Sequence, residues 1–182
     1  MGEDKGKVLI VDDNPTNIQF VGNILTENNF EIAFAQSGNK AIEQALHTDY
    51  DLILLDVMMP EFDGFEVCEE LKSNPQTKDI PIIYLTAKSD VDSIVKGLRN
   101  GGIDYISKPF IKEELLARVE NQITLKRIQR ELEYSNRSKD KFFSIIAHDL
   151  KSPISAFKNI TDVLTKDFDE FDLEDINDFI KK

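Results

Sequence analysis

Asp12 and Asp13 follow the apolar run KVLIV (7–11), Asp56 follows LILL (52–55), Thr86 follows PIIYL (81–85), and Lys108 follows IDYI (103–106). Three carboxylates, a hydroxyl and an ammonium thus stand where apolar runs end. Brought together, these groups are chemically complementary. Close carboxylates repel unless a cation joins them. Their ligand atoms are hard oxygens, which selects Mg²⁺ over Zn²⁺. A Mg²⁺ there could take up an incoming phosphoryl group, with a lysine and a threonine hydroxyl for its remaining oxygens. One carboxylate, placed in line, could then attack as nucleophile and form an acyl phosphate. Singly, each residue has a plain structural role: an Asp after a strand often caps the next helix, and a surface lysine is usually solvated. The chemical reading requires all five on one edge.

A second candidate is His148, one of only two histidines, in SIIAHDLKSPISAF (144–157). Phe143, Ile146, Leu150, Pro153, Phe157, Ile160 and Leu164 alternate at spacings of three and four, a heptad seam. His148 lies two residues from both Ile146 and Leu150, about 200° round a helix, so it faces away from the seam. The plain reading is a solvated histidine on a bundle surface. The chemical one is a neutral imidazole nucleophile, accessible to a phosphoryl group, with Asp149 placed to orient a ring proton and Pro153 loosening the helix one turn later. His47, near a predicted helix end, reads as a cation meeting the helix dipole.

The elements that must position these groups follow from periodicity. The continuous apolar runs at 7–11, 52–55 and 81–85 read as strands buried on both faces, the mark of a parallel sheet; EIAFA (31–35) and IDYI (103–106) are weaker strands. Helical stripes alternate with them: Ile18, Val21, Ile24 and Leu25 after Pro15; Ala41, Ile42, Ala45 and Leu46 after Ser37-Gly38; Phe65, Val67, Cys68 and Leu71; and Val91, Ile94, Val95 and Leu98. The pattern predicts βαβ units and an α/β, doubly wound, five-stranded parallel sheet. Ligands bind beyond the carboxyl ends of such strands, so the sheet gathers the five residues on one rim. From 111 to about 166 there is one proline and no glycine, and Leu125, Ile128 and Leu132 open a seam interrupted by polar SNRSKDK (135–141). The last helix of the α/β domain is therefore expected to run into a coiled coil and then a partial helical bundle; the alternative is one amphipathic helix folded back on the domain. Residues 167–175 read as an acidic loop, and Leu173, Ile176, Phe179 and Ile180 as the start of a further helix that the end of the sequence cuts off.

Bulk properties exclude several classes. With 34 acids against 22 bases, net −12, the 182-residue chain lacks the clustered basic charge that nucleic acid rewards. A single cysteine, Cys68, excludes a disulfide framework or a Cys-rich metal site. No signal peptide and no run of ~18 apolar residues appears, so no membrane partner is expected and a cytoplasmic location is the default.

VLIVDDNPTN, DLILLDVMMPEFDGFE, IPIIYLTA and GGIDYISKPF, in this order, resemble the four signature segments of the response-regulator receiver domain, over residues 5 to about 122. The resemblance implies a flavodoxin-like sheet of order 2-1-3-4-5. It implies Asp56 as phosphoacceptor; Asp12, Asp13, Asp56 and the backbone carbonyl of Met58 as Mg²⁺ ligands; Thr86 and Lys108 on the phosphoryl group; a cis Lys108-Pro109 peptide; and Tyr105 as an aromatic switch coupled to Thr86. Gly101-Gly102-Ile103-Asp104 departs from the family's more common Gly-Ala-x-Asp.

SKDKFFSIIAHDLKSPISAF resembles the phosphoacceptor segment of the sensor histidine kinases' dimerisation domain. That implies a phosphohistidine at His148, with Asp149 as its base, in a dimeric four-helix bundle. Ser152 stands where many relatives carry a Thr or Asn that assists dephosphorylation. The expected organisation is a receiver domain over 1–122, a coiled-coil linker over 123–137 and a truncated dimerisation segment over 138–182, part of a hybrid kinase. The expected partners are a second copy of the chain and a kinase ATP-binding domain or phosphodonor protein. No Gly-rich phosphate-cradling loop is present, so the chain is not expected to phosphorylate itself from ATP. Two other functions fit parts of the pattern: a receiver serving as a phosphate sink with a passive dimerisation rod, and a haloacid-dehalogenase-type phosphatase, which wants a second Asp where Met58 stands.

Overall fold

Five short strands and four helices follow the alternation read from the sequence, over residues 5–60, 62–87 and 101–166 that the computed structural model describes, with side chains to Asp162. The strands are β1 (Lys7–Val11), β2 (Glu31–Ala35), β3 (Leu52–Asp56), β4 (Ile82–Ala87) and β5 (Asp104–Lys108). They form one parallel sheet in the order β2-β1-β3-β4-β5. The helices are α1 (Pro15–Glu27), α2 (Gly38–His47), α3 (Gly64–Ser73) and α4 (Lys112–Lys166). The stripe at 91–98, the acidic segment 167–175 and the helix expected from Leu173 lie outside the described residues.

The continuous apolar runs have their explanation in two cores. Leu9, Val11, Ile53, Leu55, Ile82 and Tyr84 pack on one face with Ala41 and Ala45 of α2 and Val67, Cys68 and Leu71 of α3. The alternate residues Val8, Ile10, Leu52, Leu54, Ile83, Leu85 and Ile106 pack on the other with α1 and with Leu115, Val119 and Ile123 of α4. Both strand faces are buried, so alternation disappears from the three central strands.

Strand ends differ by one or two residues from the apolar runs, for local reasons. Pro81 cannot donate to the ladder, but its carbonyl accepts from Ile53 N–H at 2.9 Å, so β4 proper begins at Ile82. At the other end Thr86 and Ala87 pair with Ser107 and Lys108, which extends β4 and β5 past their apolar stretches to the rim. His47 closes α2, as the dipole reading expects.

The chain divides into two compact units, residues 1–129 and 130–182, and α4 is a single 55-residue element. Within the first unit its early turns are tied to the sheet. Lys5 pairs with Glu120 at 2.7 Å, Lys126 donates to the Tyr50 carbonyl at 2.6 Å, and the Arg127 guanidinium donates to the Lys5 carbonyl. In the second unit Phe143, Leu150, Phe157 and Ile160 are exposed along the helix, which continues through Pro153. No described helix is long and apolar enough to cross a membrane.

One close approach is critical to the rim. Gly64 N–H donates to the Val57 carbonyl at 3.1 Å, and a Cβ at Gly64 would run into the carbonyl oxygen of Asp56 and approach the Val57 Cα to 2.9 Å. Backbone cannot swing aside as a flexible side chain does. Gly64→Ala is therefore expected to destabilise the fold by about 2–3 kcal/mol, read as a lower urea midpoint at unchanged slope.

Candidate functional site

Of the five rim residues of the sequence reading, Asp12, Asp13, Asp56 and Lys108 converge, and Thr86 lies at the end of the adjoining strand β4. Asp12 immediately follows β1 and keeps its N–H on the Ala35 carbonyl, 3.2 Å away; it is fully buried. Its carboxylate is held from all sides. Oδ1 accepts from Asn14 N–H at 2.9 Å and Asn17 Nδ2 at 3.0 Å, and Oδ2 accepts from Asn17 Nδ2 and Lys108 Nζ, each at 2.9 Å. Asn14 also caps α1 by accepting from Thr16 N–H, and Pro15 at the first helical position lacks the N–H that would go unused there.

Asp56 is the last residue of β3 and is 3 % exposed. Its Oδ2 lies 2.9 Å from Lys108 Nζ and its Oδ1 accepts weakly from Met58 N–H at 3.4 Å. Lys108 therefore bridges Asp12 and Asp56 with one ammonium. Its peptide to Pro109 is cis. Asp13 is exposed at the mouth, and one oxygen each from Asp12, Asp13 and Asp56 lie within 4.8 Å of one another. Thr86 is buried on β4, in register with Ser107, and among the described residues its hydroxyl donates to the Ala87 carbonyl, 3.5 Å away. Tyr105 lies on the neighbouring strand and is half-buried.

Burial pushes the Asp56 carboxyl above its ordinary range; the Lys108 hydrogen bond opposes this and the Asp12 charge adds to it. For Lys108 burial works against the charge, but the hydrogen bonds and charges of Asp12 and Asp56 outweigh it and raise its pKa. The cluster holds three carboxylates to one ammonium, so a second cation is accommodated electrostatically. Its all-oxygen donor set fits a hard divalent ion of the Mg²⁺ class.

His148 and Asp149 lie on α4 in the second unit. The imidazole Nδ1 is 3.2 Å from Asp149 Oδ1 and both side chains are largely in solvent, 86 % and 72 % exposed. Ile146, on the seam, is far less exposed at 37 %.

Residues 8–120 match the family profile of the response regulator receiver domain. The chain belongs to the response-regulator receiver family. Its receiver resembles a putative response regulator from Chloroflexus aurantiacus, with 34 % identity and a TM-score of 0.64 over 65 % of this chain and 98 % of that one. It also resembles the signal receiver domain of a signal transduction histidine kinase from Syntrophus aciditrophicus, with 36 % identity and a TM-score of 0.61 over 65 % and 90 %. Among curated relatives, response regulator ArlR of Staphylococcus saprophyticus is 44 % identical over 62 % of this chain and 50 % of its own length. Hybrid signal transduction histidine kinase D of Dictyostelium discoideum is 33 % identical over 89 % of this chain but 13 % of its own. The chain thus spans half or less of these two relatives. The kinase alignment covers more of this chain than its first 120 residues could supply. The receiver is accordingly a phosphorylation-based module of two-component signalling.

The sequence reading missed three contributors. Asn17 holds both oxygens of Asp12; its position one helical turn into α1, facing the rim, was a usable signal. Gly64 carries no chemical group, so nothing in its type points to the site. Arg118, whose guanidinium lies 5.4 Å from the Tyr105 ring centroid, looks like any helix-surface arginine until β5 is known to be the edge strand.

The raised Asp56 pKa sets a sign for stability. Between the unfolded carboxyl pKa and the higher folded one the native receiver binds the extra proton, so this contribution is full at low pH and is lost as pH rises through the folded value. At neutral pH the charged, desolvated carboxylate is a cost. Asp56→Asn should raise stability on the order of 1 kcal/mol in chelator-containing buffer at pH 7, with the gain shrinking towards pH 4, as read by chemical denaturation at the two pH values.

Proposed function

We propose that Asp56 is phosphorylated in a Mg²⁺-dependent reaction and that this controls a histidine kinase whose phosphoacceptor is His148. The observation that carries the receiver half is the Asp12–Lys108–Asp56 bridge, in which one ammonium joins two buried carboxylates and burial holds the Asp56 carboxyl above its ordinary range. A carboxylate oxygen of Asp56 attacks the phosphorus of the donor. The new O–P bond forms as the bond to the donor's leaving atom breaks, and the leaving group departs with the electron pair. Lys108, already within 2.9 Å of Asp56, is placed to follow charge onto the phosphoryl oxygens, and the hydroxyl of Thr86, at the end of the adjoining strand, is the second donor. Mg²⁺, when held by Asp12, Asp13, Asp56 and the Met58 carbonyl, would neutralise charge on those oxygens.

The His148 half is supported by the exposed imidazole with Asp149 against its Nδ1, and by the extent of the likeness to a hybrid kinase. Asp149 would hold the proton on Nδ1, which leaves Nε2 free as the nucleophile. The exposed apolar residues of α4 support pairing with a second copy of the chain through a coiled coil. Their spacing changes phase: Leu125, Ile128 and Leu132 run three-four, the next seam residue, Phe143, comes eleven residues on, and the heptad then resumes. An eleven-residue step unwinds a left-handed supercoil locally.

Incubation with Mg²⁺ and acetyl phosphate should add one phosphoryl group per chain, seen by intact mass, and Asp56→Asn should abolish it; labelling that survives in Asp56→Asn defeats the receiver assignment. With the ATP-binding domain of a cognate kinase supplied separately, His148→Gln should lose at least about 100-fold in ATP-dependent labelling, the scale of a missing nucleophile. Label equal to the parent's would instead favour the phosphate sink.

Coupling between the two halves predicts a phase effect. One residue inserted after Ser135 in the full-length kinase should uncouple kinase output from receiver phosphorylation, whereas seven residues, a whole heptad, should retain most of the coupling. Equal output from both insertions would mean that the helix transmits nothing.

A further inference from the structure

The two cores of the receiver lie on opposite faces of the sheet, and α4 and Tyr105 belong to different faces. α4 packs through Leu115, Val119 and Ile123 on the face that holds Ile106. Tyr105, one residue earlier on β5, points to the other face and packs against the cluster that holds Tyr84. β5 is the edge of the sheet, so only a long side chain reaching round it can join the two layers there. Arg118 does so. Its guanidinium carbon is 5.4 Å from the Tyr105 ring centroid, its Nη1 donates to Asp104 Oδ1 at 2.6 Å, and its Nε donates to Glu114 Oε1 at 3.0 Å. The same Asp104 Oδ1 accepts the Tyr105 backbone N–H at 2.9 Å. Ring, backbone, carboxylate and guanidinium are thus one connected unit at the sheet edge. Its outer member belongs to the helix.

We propose that Arg118 is the positioning residue through which the Tyr105 ring sets the first turns of α4. This rests on the proposed phosphorylation of Asp56 together with the switch that the receiver resemblance implies, in which Tyr105 is coupled to Thr86 and its ring turns from the sheet edge towards the rim. When the ring turns inward its face leaves the guanidinium, which keeps Asp104 and Glu114 as partners. The cation–π contact is lost, so Arg118, still tied to Asp104 on β5 and to Glu114 on its own helix, holds the first turns of α4 to the sheet edge by one link fewer. Lys126 and Arg127 remain on the Tyr50 and Lys5 carbonyls, so the far end of this segment stays fixed while its near end shifts. Arginine suits the task because its planar fork engages a ring face and a carboxylate at once.

The test uses the full chain with Mg²⁺ and beryllofluoride as the phosphoryl mimic, read by hydrogen exchange in two peptides, one covering β5 and one covering 112–128. The parent should change in both. Arg118→Gln should keep the β5 change and lose about 2- to 5-fold of the helix change, the scale of a partly exposed cation–π contact. Arg118→Lys, which keeps the cation but not the fork, should recover part of it. An Arg118→Gln helix response equal to the parent's overturns the proposal, as does a parent that responds in β5 and not in the helix. A Gln variant that loses the β5 response as well assigns Arg118 to the phosphoryl site and also overturns it. No response in either parent peptide, nor around Asp56, removes the underlying reading, a result distinct from the others.

Discussion

Asp12 and Asp56 are held together by a single ammonium, and the arrangement of the receiver follows from that. Two carboxylates within 4.8 Å of each other repel by about 3 kcal/mol at an effective dielectric of 20, and burial adds a desolvation cost to each. Lys108 at 2.9 Å from both more than offsets their mutual repulsion. It does not neutralise them, and Asp13 adds a third charge at the mouth. The folded receiver therefore carries an unbalanced negative centre, on which the proposed binding of a divalent cation and then of a phosphoryl group rests.

Holding such a centre requires rigidity around it. Asp12 has no conformational freedom left: Asn14, Asn17 and Lys108 occupy both of its oxygens, and its backbone remains bonded to β2. Behind Asp56 the chain turns so tightly that α3 must start on a glycine. Asp63 caps that helix and forms a capping box with Glu66, so the turn is fixed from both ends. By contrast, among the described residues the Thr86 hydroxyl has one long contact, and Tyr105 is half-buried. The carboxylate side of the rim is held by many short hydrogen bonds, whereas Tyr105 is held at the sheet edge through Asp104 and Arg118.

Legibility in the sequence divides along the same line. Strands β1 and β2 match the runs read for them residue for residue, for different reasons: β1 is central and Val8–Val11 are buried on both faces, whereas β2 is an edge strand, half-buried, that keeps Glu31 within it. β5 is less readable: it ends in Ser107 and Lys108, polar residues tolerated because it is an edge strand that runs out at the rim. Acids closing strands were visible because carboxylates at strand ends are unusual enough to mean something together. Asn17 and Arg118 were not singled out, since each is an ordinary helix residue whose role appears only once the helix is placed on the sheet. Gly64 was invisible for a different reason: what it supplies is the absence of a Cβ.

The second unit has a comparable local asymmetry. α4 continues through Pro153, but proline has no N–H to give the carbonyl four residues earlier, and that carbonyl belongs to Asp149. The residue that touches His148 Nδ1 therefore sits on the one turn of this stretch that lacks its backbone hydrogen bond. Upstream, the seam changes phase between Leu132 and Phe143, where the side chains between are mostly polar and exposed. A helix with uniform packing would pass a twist along its length or resist it throughout. In the proposed coiled coil, a phase change above the histidine and a missing hydrogen bond below it would leave the turns that carry His148 the least uniformly held. Under the proposed function, it is there that the exposure and tilt of the imidazole would be easiest to alter.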